Sequence, residues 1–445
     1  KLANSTAFGI TLGGSSTRND RFISWQSVVV SDGSTVTTMV AGRGYFINNS
    51  SAAGIVKLPT SAVAGDTIAI KDYTGQFGTN NLTIQRNGHK IQGTANDGRI
   101  ATNRASVELV YVDATKGWLY SIESNVDDLQ LATYISATGG TITTSGNFKI
   151  HTFTGDGNFI VSSLGNDAGG PNSVDYLVVA GGGAGGTPGG NSGGGGGAGG
   201  LRFYVSPDIT SYPASPRNGP AAIQVSVATF PITVGGGSAS KTHPSPNPGV
   251  FRGSSSVFST ITSTGGGDGG HAAGGGNPGN SGGSGGGGTG GGLNKPGGAG
   301  NTPPVSPSQG SAGGDRGSPG PDGGGGGGGG FMAAGAAADT GTDKAGGVGG
   351  GFPSAAFGAN GQPAGDYRYF SGGGQGGGNS NPSVPANALG GGGATGGPAS
   401  GPEPARVGTP GTANTGGGGG GPNNASTGVG GAGGKGIVVI RYKFQ

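Results

Sequence analysis

The residues best suited to recognition chemistry stand together at positions 366–370, where the chain reads Asp-Tyr-Arg-Tyr-Phe between two glycine-rich tracts. Aromatic rings stack on the apolar C–H faces of sugars, and rigid Tyr and Arg side chains supply hydrogen bonds at a low cost in side-chain entropy. No strand pattern surrounds them, so we expect a loop in which Tyr367, Arg368, Tyr369 and Phe370 form a contact surface. The alternative is that these side chains pack over the glycine-rich tracts or between subunits.

Four more side chains in glycine-rich surroundings are weaker candidates for the same surface: Phe331, Met332, Phe352 and His243. Several aromatic residues of this region must cover the ends of the glycine tracts, so packing is the competing interpretation for the first three. Alternate positions from 244 to 248 are proline, which predicts a stiff exposed loop beside His243. A solvated loop residue is the competing interpretation there.

The chain contains a few matches to enzyme motifs, but a glycine content this high produces such matches by chance. The two G-x-S-x-G matches, at 190–194 and 279–283, lack the strand-to-helix context of a nucleophile elbow. The Gly-Lys-Gly at 434–436 lacks the Ser or Thr of a phosphate-binding loop. Glu403 is the only glutamate after Glu123, whereas a glycosidase needs paired carboxylates. We therefore predict no enzyme, no catalytic residue, no metal ligand and no cofactor.

The amino-acid composition argues against two classes of binding partner, nucleic acids and membranes. Of 445 residues, 113 are Gly, 27 are Pro and none is Cys. Charged residues make up 10%, against roughly 25% in a typical soluble domain. The net charge of +3 gives no electrostatic reason to expect nucleic acid or an anionic membrane as a partner. No apolar run approaches the roughly 20 residues that cross a bilayer, so we expect no membrane insertion.

Glycine divides the chain into two chemically different halves, since 94 of the 113 glycines follow residue 164. In the first half, apolar runs alternate with turn signals every 8 to 12 residues or so, which is typical of a small all-β sandwich or barrel. The predicted strands are 25–30, 35–40, 44–48, 54–58, 67–71, 81–86, 107–113 and 118–122. We predict a connector or shaft segment at 1–22, a β module at 23–125, a linker at 126–138 and a glycine-rich domain at 139–445.

The strand at 107–113 is mostly apolar on both faces. Val107, Leu109 and Tyr111 share one face by period-two alternation, and Val110 and Val112 lie on the other. A unit of about 100 residues has too little interior to cover both faces of such a strand. We therefore expect a second copy of the chain to cover one face, in a homo-oligomer.

Strand patterns bracket the glycine-rich half. They fall at 148–153, 158–161, 174–180, 230–234, 257–261 and 436–444. The runs at 174–180 and 436–444 lead into the first glycine tract and out of the last one. We expect these two ends to be pinned together.

The glycine tracts favour neither an α-helix nor an isolated strand, because glycine costs roughly 0.5–1 kcal/mol per residue relative to Ala in both. A threefold extended helix of the polyproline II type remains, with three residues per turn and no internal hydrogen bonds. Without Cβ atoms such helices can lie side by side and satisfy each other's backbone groups. We predict an all-β chain without significant α-helix, whose glycine-rich domain is a β-framed bundle of polyglycine helices with surface loops.

Segments in both halves carry resemblances to known families. The order of FKIHTFT at 148–154, YLVVAGGGAGG at 176–186, ITVGGG at 232–237 and GIVVIRY at 436–442 resembles the glycine-rich receptor-binding domain of bacteriophage tail fibre and adhesin proteins, and covers 139–445. The segments 65–73, 80–84, 86–88 and 110–118 resemble a module that recurs in fibres of tailed cyanophages.

The resemblance implies a homotrimeric fibre at the distal, extracellular end of a virion tail, with other tail proteins bound at its N-terminal end. Loops at the far end of the glycine bundle would bind a bacterial surface polysaccharide or outer-membrane protein. The alternative is a purely structural glycine-rich scaffold of a virion or cell surface. Replacing one loop of such a scaffold would leave attachment unchanged.

Overall fold

The chain folds into two compact units, Lys1–Gln130 and Leu131–Gln445, each with its own core. The computed structural model describes residues 6–7, 10–11, 23–125, 132–166, 169–188, 192–242, 251–271, 276–290, 295–316, 324–338, 344–378, 389–393, 407–423 and 428–445. Within them lie many short strands, a four-residue α-helix and a 3₁₀ turn, so the expected all-β class is confirmed.

The described residues of the N-terminal unit contain twelve strands. They are β1 (Thr6–Ala7), β2 (Ile10–Thr11), β3 (Ser24–Trp25), β4 (Val29–Val30), β5 (Val36–Thr38), β6 (Arg43–Asn48), β7 (Gly54–Lys57), β8 (Thr67–Asp72), β9 (Leu82–Gln85), β10 (Gly98–Ile100), β11 (Ala105–Asp113) and β12 (Gly117–Asn125). All eight predicted strand regions contain strands, and β1, β2 and β10 are additions.

The strands of this unit build a sandwich by winding back and forth between two sheets. One sheet has the order β10-β9-β7-β5, and the other has β12-β11-β8-β6-β3, with β4 also beside β6. Consecutive strands from β5 to β9 alternate between the sheets, so neighbours within each sheet run parallel. The connection between two neighbouring parallel strands of one sheet therefore includes a strand of the other sheet. The space between the two sheets is filled by apolar side chains such as Leu58, Ile68, Phe77 and Trp118.

The two faces of β11 differ as the alternation predicts. Val107, Leu109 and Tyr111 are buried in the sandwich core. The outer face carries Val112, 40% exposed, and on the neighbouring β12 Ile122, 57% exposed. The unit by itself leaves this outer face partly uncovered, and its coverage by a second copy stays a prediction.

In the part of the C-terminal unit that the structure describes there are sixteen strands and two short helical turns. The strands are β13 (Ser136–Thr138), β14 (Thr141–Ser145), β15 (Phe148–Phe153), β16 (Gly157–Ser163), β17 (Ser173–Val179), β18 (Leu201–Tyr204), β19 (Ile223–Gln224), β20 (Thr229–Thr233), β21 (Lys241–Thr242), β22 (Ser256–Phe258), β23 (Ile261–Ser263), β24 (Gly350–Pro353), β25 (Gln362–Ala364), β26 (Tyr367–Phe370), β27 (Val429–Gly430) and β28 (Ile437–Lys443). The turns are the 3₁₀ turn Ser215–Arg217 and α1 (Ser354–Phe357).

Two sheets frame the glycine tracts. One runs β14-β15-β28-β17-β18, with β19 beside β17, and the other runs β13-β16-β20-β22-β23. The pairing of Val179 with Ile437 brings the strand that enters the glycine tracts beside the strand that leaves them. The expected pinning of the two ends is therefore confirmed. Because β13 pairs with β16, part of the predicted linker 126–138 belongs to this framework.

The run 192–200 shows how the glycine tracts pack, since six other described runs bond to its backbone: 180–186, 264–270, 284–290, 326–329, 374–377 and 416–422. Its N–H groups donate to three of them in strict rotation, as in Gly194 to Gly270 at 3.3 Å, Gly195 to Gly326 at 2.9 Å and Gly196 to Gly419 at 2.7 Å. The carbonyls of residues 192–198 accept from the other three runs in the same kind of rotation. A period of three in both donors and acceptors is the pattern of a polyglycine helix in an array.

Glycine is required at these positions because the neighbouring backbones occupy the space of a side chain. A Cβ added to Gly196 would overlap the carbonyl oxygen of Gly183 and lie 2.7 Å from that of Ala184. The runs pack at this spacing because their N–H and C=O groups must reach each other to form hydrogen bonds, as buried backbone groups require. The core of this part of the molecule is therefore made of backbone.

Candidate functional site

The cluster at 366–370 forms part of a small sheet. Tyr367–Phe370 is the central strand β26, flanked by β24 and β25, both antiparallel to it. The expectation of a loop was wrong, because the segments that pair with it, 350–353 and 362–364, carry no strand pattern of their own. Gly351 faces Tyr369 across the pair, and a Cβ on Gly351 would lie 2.7 Å from the Tyr369 ring. The missing side chain makes room for that ring.

Three of the predicted contact residues are buried. Phe370, Phe352 and Phe331 are at most 1% exposed and belong to one aromatic core with Phe203 and Tyr212. The Phe352 ring lies 6.1 Å from Phe370 and 4.7 Å from Phe203, measured between centroids. These side chains cannot reach a partner in the folded chain, so packing is the correct interpretation for them. The aromatic core anchors β24 and β26 to the framing strands.

Tyr367, Arg368 and Tyr369 are half-buried and keep part of their surface open to solvent. The two tyrosine rings lie edge to face, with centroids 6.4 Å apart at 80°. Tyr367 also packs against the aromatic core. The strand therefore holds two phenols and a guanidinium in fixed positions, and such groups offer ring faces for stacking and donors for hydrogen bonds.

The remaining predicted residues are not part of this strand. Met332 is half-buried against the aromatic core, and its N–H donates to the Val348 carbonyl at 2.9 Å. His243 lies outside the described residues.

Arg217, which sequence reasoning missed, ties the 3₁₀ turn to the glycine array, and Ala214 before it joins the turn to the sheet. Its guanidinium donates to the Phe331 carbonyl and to Ser311 Oγ, the latter at 3.3 Å, and lies 5.0 Å from the Phe331 ring. Burial lowers the pKa of Arg217. In the same 3₁₀ region the Ala214 N–H donates to the Gly351 carbonyl at 3.2 Å, which fixes the edge of the sheet.

A buried ionic cluster locks the closing strand in place. Arg441 on β28 pairs with Asp175 on β17 and with Asp208 beyond β18, and Ser206 Oγ donates to Asp175. The Arg441 guanidinium also stacks 3.5 Å from the centroid of the Phe148 ring. Asp175 and Arg441 carry opposite charges within two otherwise apolar strand patterns, and this feature of the sequence could have predicted the pair.

The described residues contain no cluster of three His, Cys, Asp or Glu side chains placed to hold a metal ion. Within the same residues, none of the helices has the length and hydropathy needed to cross a membrane.

Residues 154–443 match the family described as glycine-rich domain, which is about two thirds of the chain. The chain therefore belongs to the glycine-rich domain family. A search of curated proteins found no significant match. The family match corresponds to the unit that contains the glycine array and the β26 sheet.

Proposed function

We propose that this protein is an adhesin of a bacteriophage tail fibre or fibre tip, which attaches to a bacterial surface polysaccharide or outer-membrane protein. The observation that carries the proposal is the pair Tyr367 and Tyr369, half-exposed on one face of β26. Half-exposed Arg368 lies between them on the other face, and Phe370 is packed in the aromatic core. The resemblance of the flanking segments to phage fibre domains supports it.

The mechanism is recognition by preformed groups. A binding surface held by an aromatic core and a hydrogen-bonded glycine array loses little side-chain and loop entropy when it binds. Tyr367 and Tyr369 would stack on apolar sugar faces, while Arg368 would donate hydrogen bonds to hydroxyl or carboxylate oxygens. These contacts need no chemical step, in keeping with an adhesin that is not an enzyme.

The proposed assembly is a homotrimer in the virion, joined to other tail proteins near the N-terminal unit. Three copies of one weak site on a fibre, and several fibres on a particle, raise avidity by roughly 10² to 10⁴ where the receptor is dense enough. Each single site can then be weak. The uncovered outer face of β11 and β12 in the N-terminal unit supports the homo-oligomer.

The test is binding of the full chain to a panel of bacterial cells and to their extracted surface polysaccharides. We expect saturable binding to some strains and loss of at least about tenfold in affinity in the triple variant Tyr367→Ala, Arg368→Ala, Tyr369→Ala, since a few central residues dominate most interfaces. Tyr73→Ala is the matched control, because Tyr73 is an exposed tyrosine of the other unit.

Two outcomes would contradict the proposal in different ways. Selective binding that survives in the folded triple variant would move the site to another surface of the same adhesin. No binding to any cell would favour a purely structural glycine-rich scaffold. The burial of Phe331, Phe352 and Phe370 is the observation that speaks for that second candidate, because most of the predicted aromatic contacts serve packing.

A further inference from the structure

Lys241 and Asp268 form an ion pair that is almost completely shielded from water. Lys241 Nζ lies 2.9 Å from Asp268 Oδ2, and the two side chains are 1% and 0% exposed. Lys241 lies on β21, which pairs with β27, whereas Asp268 interrupts a glycine run of the central array. The pair therefore joins an outer strand to the backbone core.

The position of Asp268 in its run explains why a side chain is accommodated there. The N–H groups of Gly266 and Gly269 donate to carbonyls of the run 181–184, and those of Gly267 and Gly270 donate to carbonyls of the run 284–287. Two sides of the threefold helix are thus covered by glycine runs. The Asp268 side chain instead meets the ammonium group from β21.

The surroundings hold the two side chains against each other and give the carboxylate few other partners. Asp268 Oδ1 is buried and has no hydrogen-bond partner among the described residues, and the Phe251 ring centroid lies 5.0 Å from Lys241 Nζ. Moving two charges out of water costs more free energy than one ion-pair contact recovers, unless additional hydrogen bonds satisfy the charged groups. The 2.9 Å contact places Lys241 Nζ within reach of the Asp268 carboxyl group, and one proton passed from Nζ to Oδ2 gives the amine and carboxylic acid from which an amide forms.

We propose that Lys241 and Asp268 form an intramolecular isopeptide bond in the folded protein. The Nζ lone pair attacks Asp268 Cγ and forms the new C–N bond. A proton passes from the nitrogen to a carboxyl oxygen, the C–O bond of that hydroxyl breaks, and one water molecule leaves. The reaction consumes no oxidant or co-reactant, and the product is an amide without charge in the same buried space.

The bond would close a covalent loop between β21 and the glycine array. Such a link removes conformational freedom from the unfolded chain and keeps residues 241 and 268 together after unfolding. This proposal is independent of receptor binding, because the pair lies inside the molecule.

Intact-mass measurement of the full chain tests the proposal, followed by peptide mapping after digestion. We expect a mass lower than the sequence mass by one water molecule, and a branched peptide that joins Lys241 to Asp268. Asp268→Asn should lose one ammonia molecule instead, because the leaving group is then an amide nitrogen. Lys241→Met should keep its full mass.

Asp268 is followed by Gly269, and an Asp-Gly pair can also lose water by closing a succinimide on its own backbone. The Lys241→Met variant separates the two reactions, because a succinimide does not need the lysine. Full mass of the wild-type chain would overturn the proposal. Water loss that persists in Lys241→Met, without a branched peptide in the wild type, would overturn it as well.

Discussion

Replacing a single interior glycine by alanine should destabilise the C-terminal unit out of proportion to the size of the change. At Gly196 the added methyl would overlap the Gly183 carbonyl and crowd that of Ala184. The run 180–186 must then move away by roughly 1 Å to restore ordinary van der Waals contact. That movement stretches the bonds from Gly183 N–H to Gly197 and from Gly186 N–H to Gly194, which are 2.9 and 2.8 Å long.

The expected loss follows from these separate effects. Overpacking costs about 1–3 kcal/mol, two weakened hydrogen bonds cost about 1 kcal/mol each, and the stiffer unfolded chain returns about 0.4–1 kcal/mol. We therefore expect Gly196→Ala to lower the free energy of unfolding by about 3 kcal/mol. The control is Gly236→Ala, since a Cβ at Gly236 meets nothing within 4 Å. It should be neutral or slightly stabilising.

Urea unfolding of the full chain can measure both variants. Circular dichroism in the far ultraviolet follows the whole chain, whereas tryptophan fluorescence follows only the N-terminal unit, because Trp25 and Trp118 are the two tryptophans. Gly196→Ala should lower the midpoint of the circular dichroism transition assigned to the C-terminal unit and leave the fluorescence midpoint unchanged. Equal stability of Gly196→Ala and Gly236→Ala would refute a core made of tightly packed backbone.

Two further predictions concern buried polar groups of the C-terminal unit. Burial lowers the pKa of His151 below its ordinary value of 6.5. As the pH falls, the unfolded chain therefore takes up a proton at this histidine before the folded chain does. Below pH 6.5 the free energy of unfolding should fall by at most about 1.4 kcal/mol per pH unit. His151→Gln should flatten this slope in urea titrations, and an unchanged slope would contradict the assignment. Arg441→Met should lower the free energy of unfolding by about 3–5 kcal/mol, because it leaves Asp175 buried without its cation. Adding Asp175→Asn to that variant should recover much of the lost stability. Asp208→Ala should cost less than about 1 kcal/mol, because Asp208 is partly exposed. Additive losses in the double variant, measured by the same urea unfolding, would argue against this coupling.

The sequence predicted most strands of the N-terminal unit and the framing strands β15, β16, β17, β20 and β28, because their patterns are local. It missed β13, β14, β18, β19, β21, β24, β25, β26 and β27. The run 148–153 is β15 without a shift, and 174–180 differs from β17 by one residue at each end. The run 257–261 was predicted as one strand, but it spans a hairpin of β22 and β23, because Ser259 adopts a positive φ of 52° in the turn. A β-branched and aromatic pattern does not reveal such a reversal.

The arrangement of strands and side chains in space was harder to predict. Alternation within 44–48 and 54–58 shows two strands, but it does not reveal that the chain changes sheet between them and pairs in parallel. Likewise Tyr367–Phe370 has the composition of a recognition loop, and only its pairing with Gly350–Pro353 and the distant Phe203 make it a strand over an aromatic core. Long-range pairing decides burial here, and sequence spacing does not encode it.

Hydrogen bonds between glycine runs, rather than apolar side chains, hold the glycine array of the C-terminal unit together. Hydrogen exchange of the peptide that covers 192–201 tests this directly. Every amide from Gly193 to Gly200 donates to a neighbouring run, so all of them should exchange slowly and at rates set by opening of the whole unit. Exchange of this peptide as fast as in an unfolded chain, while β15 and β28 remain protected, would contradict the claim.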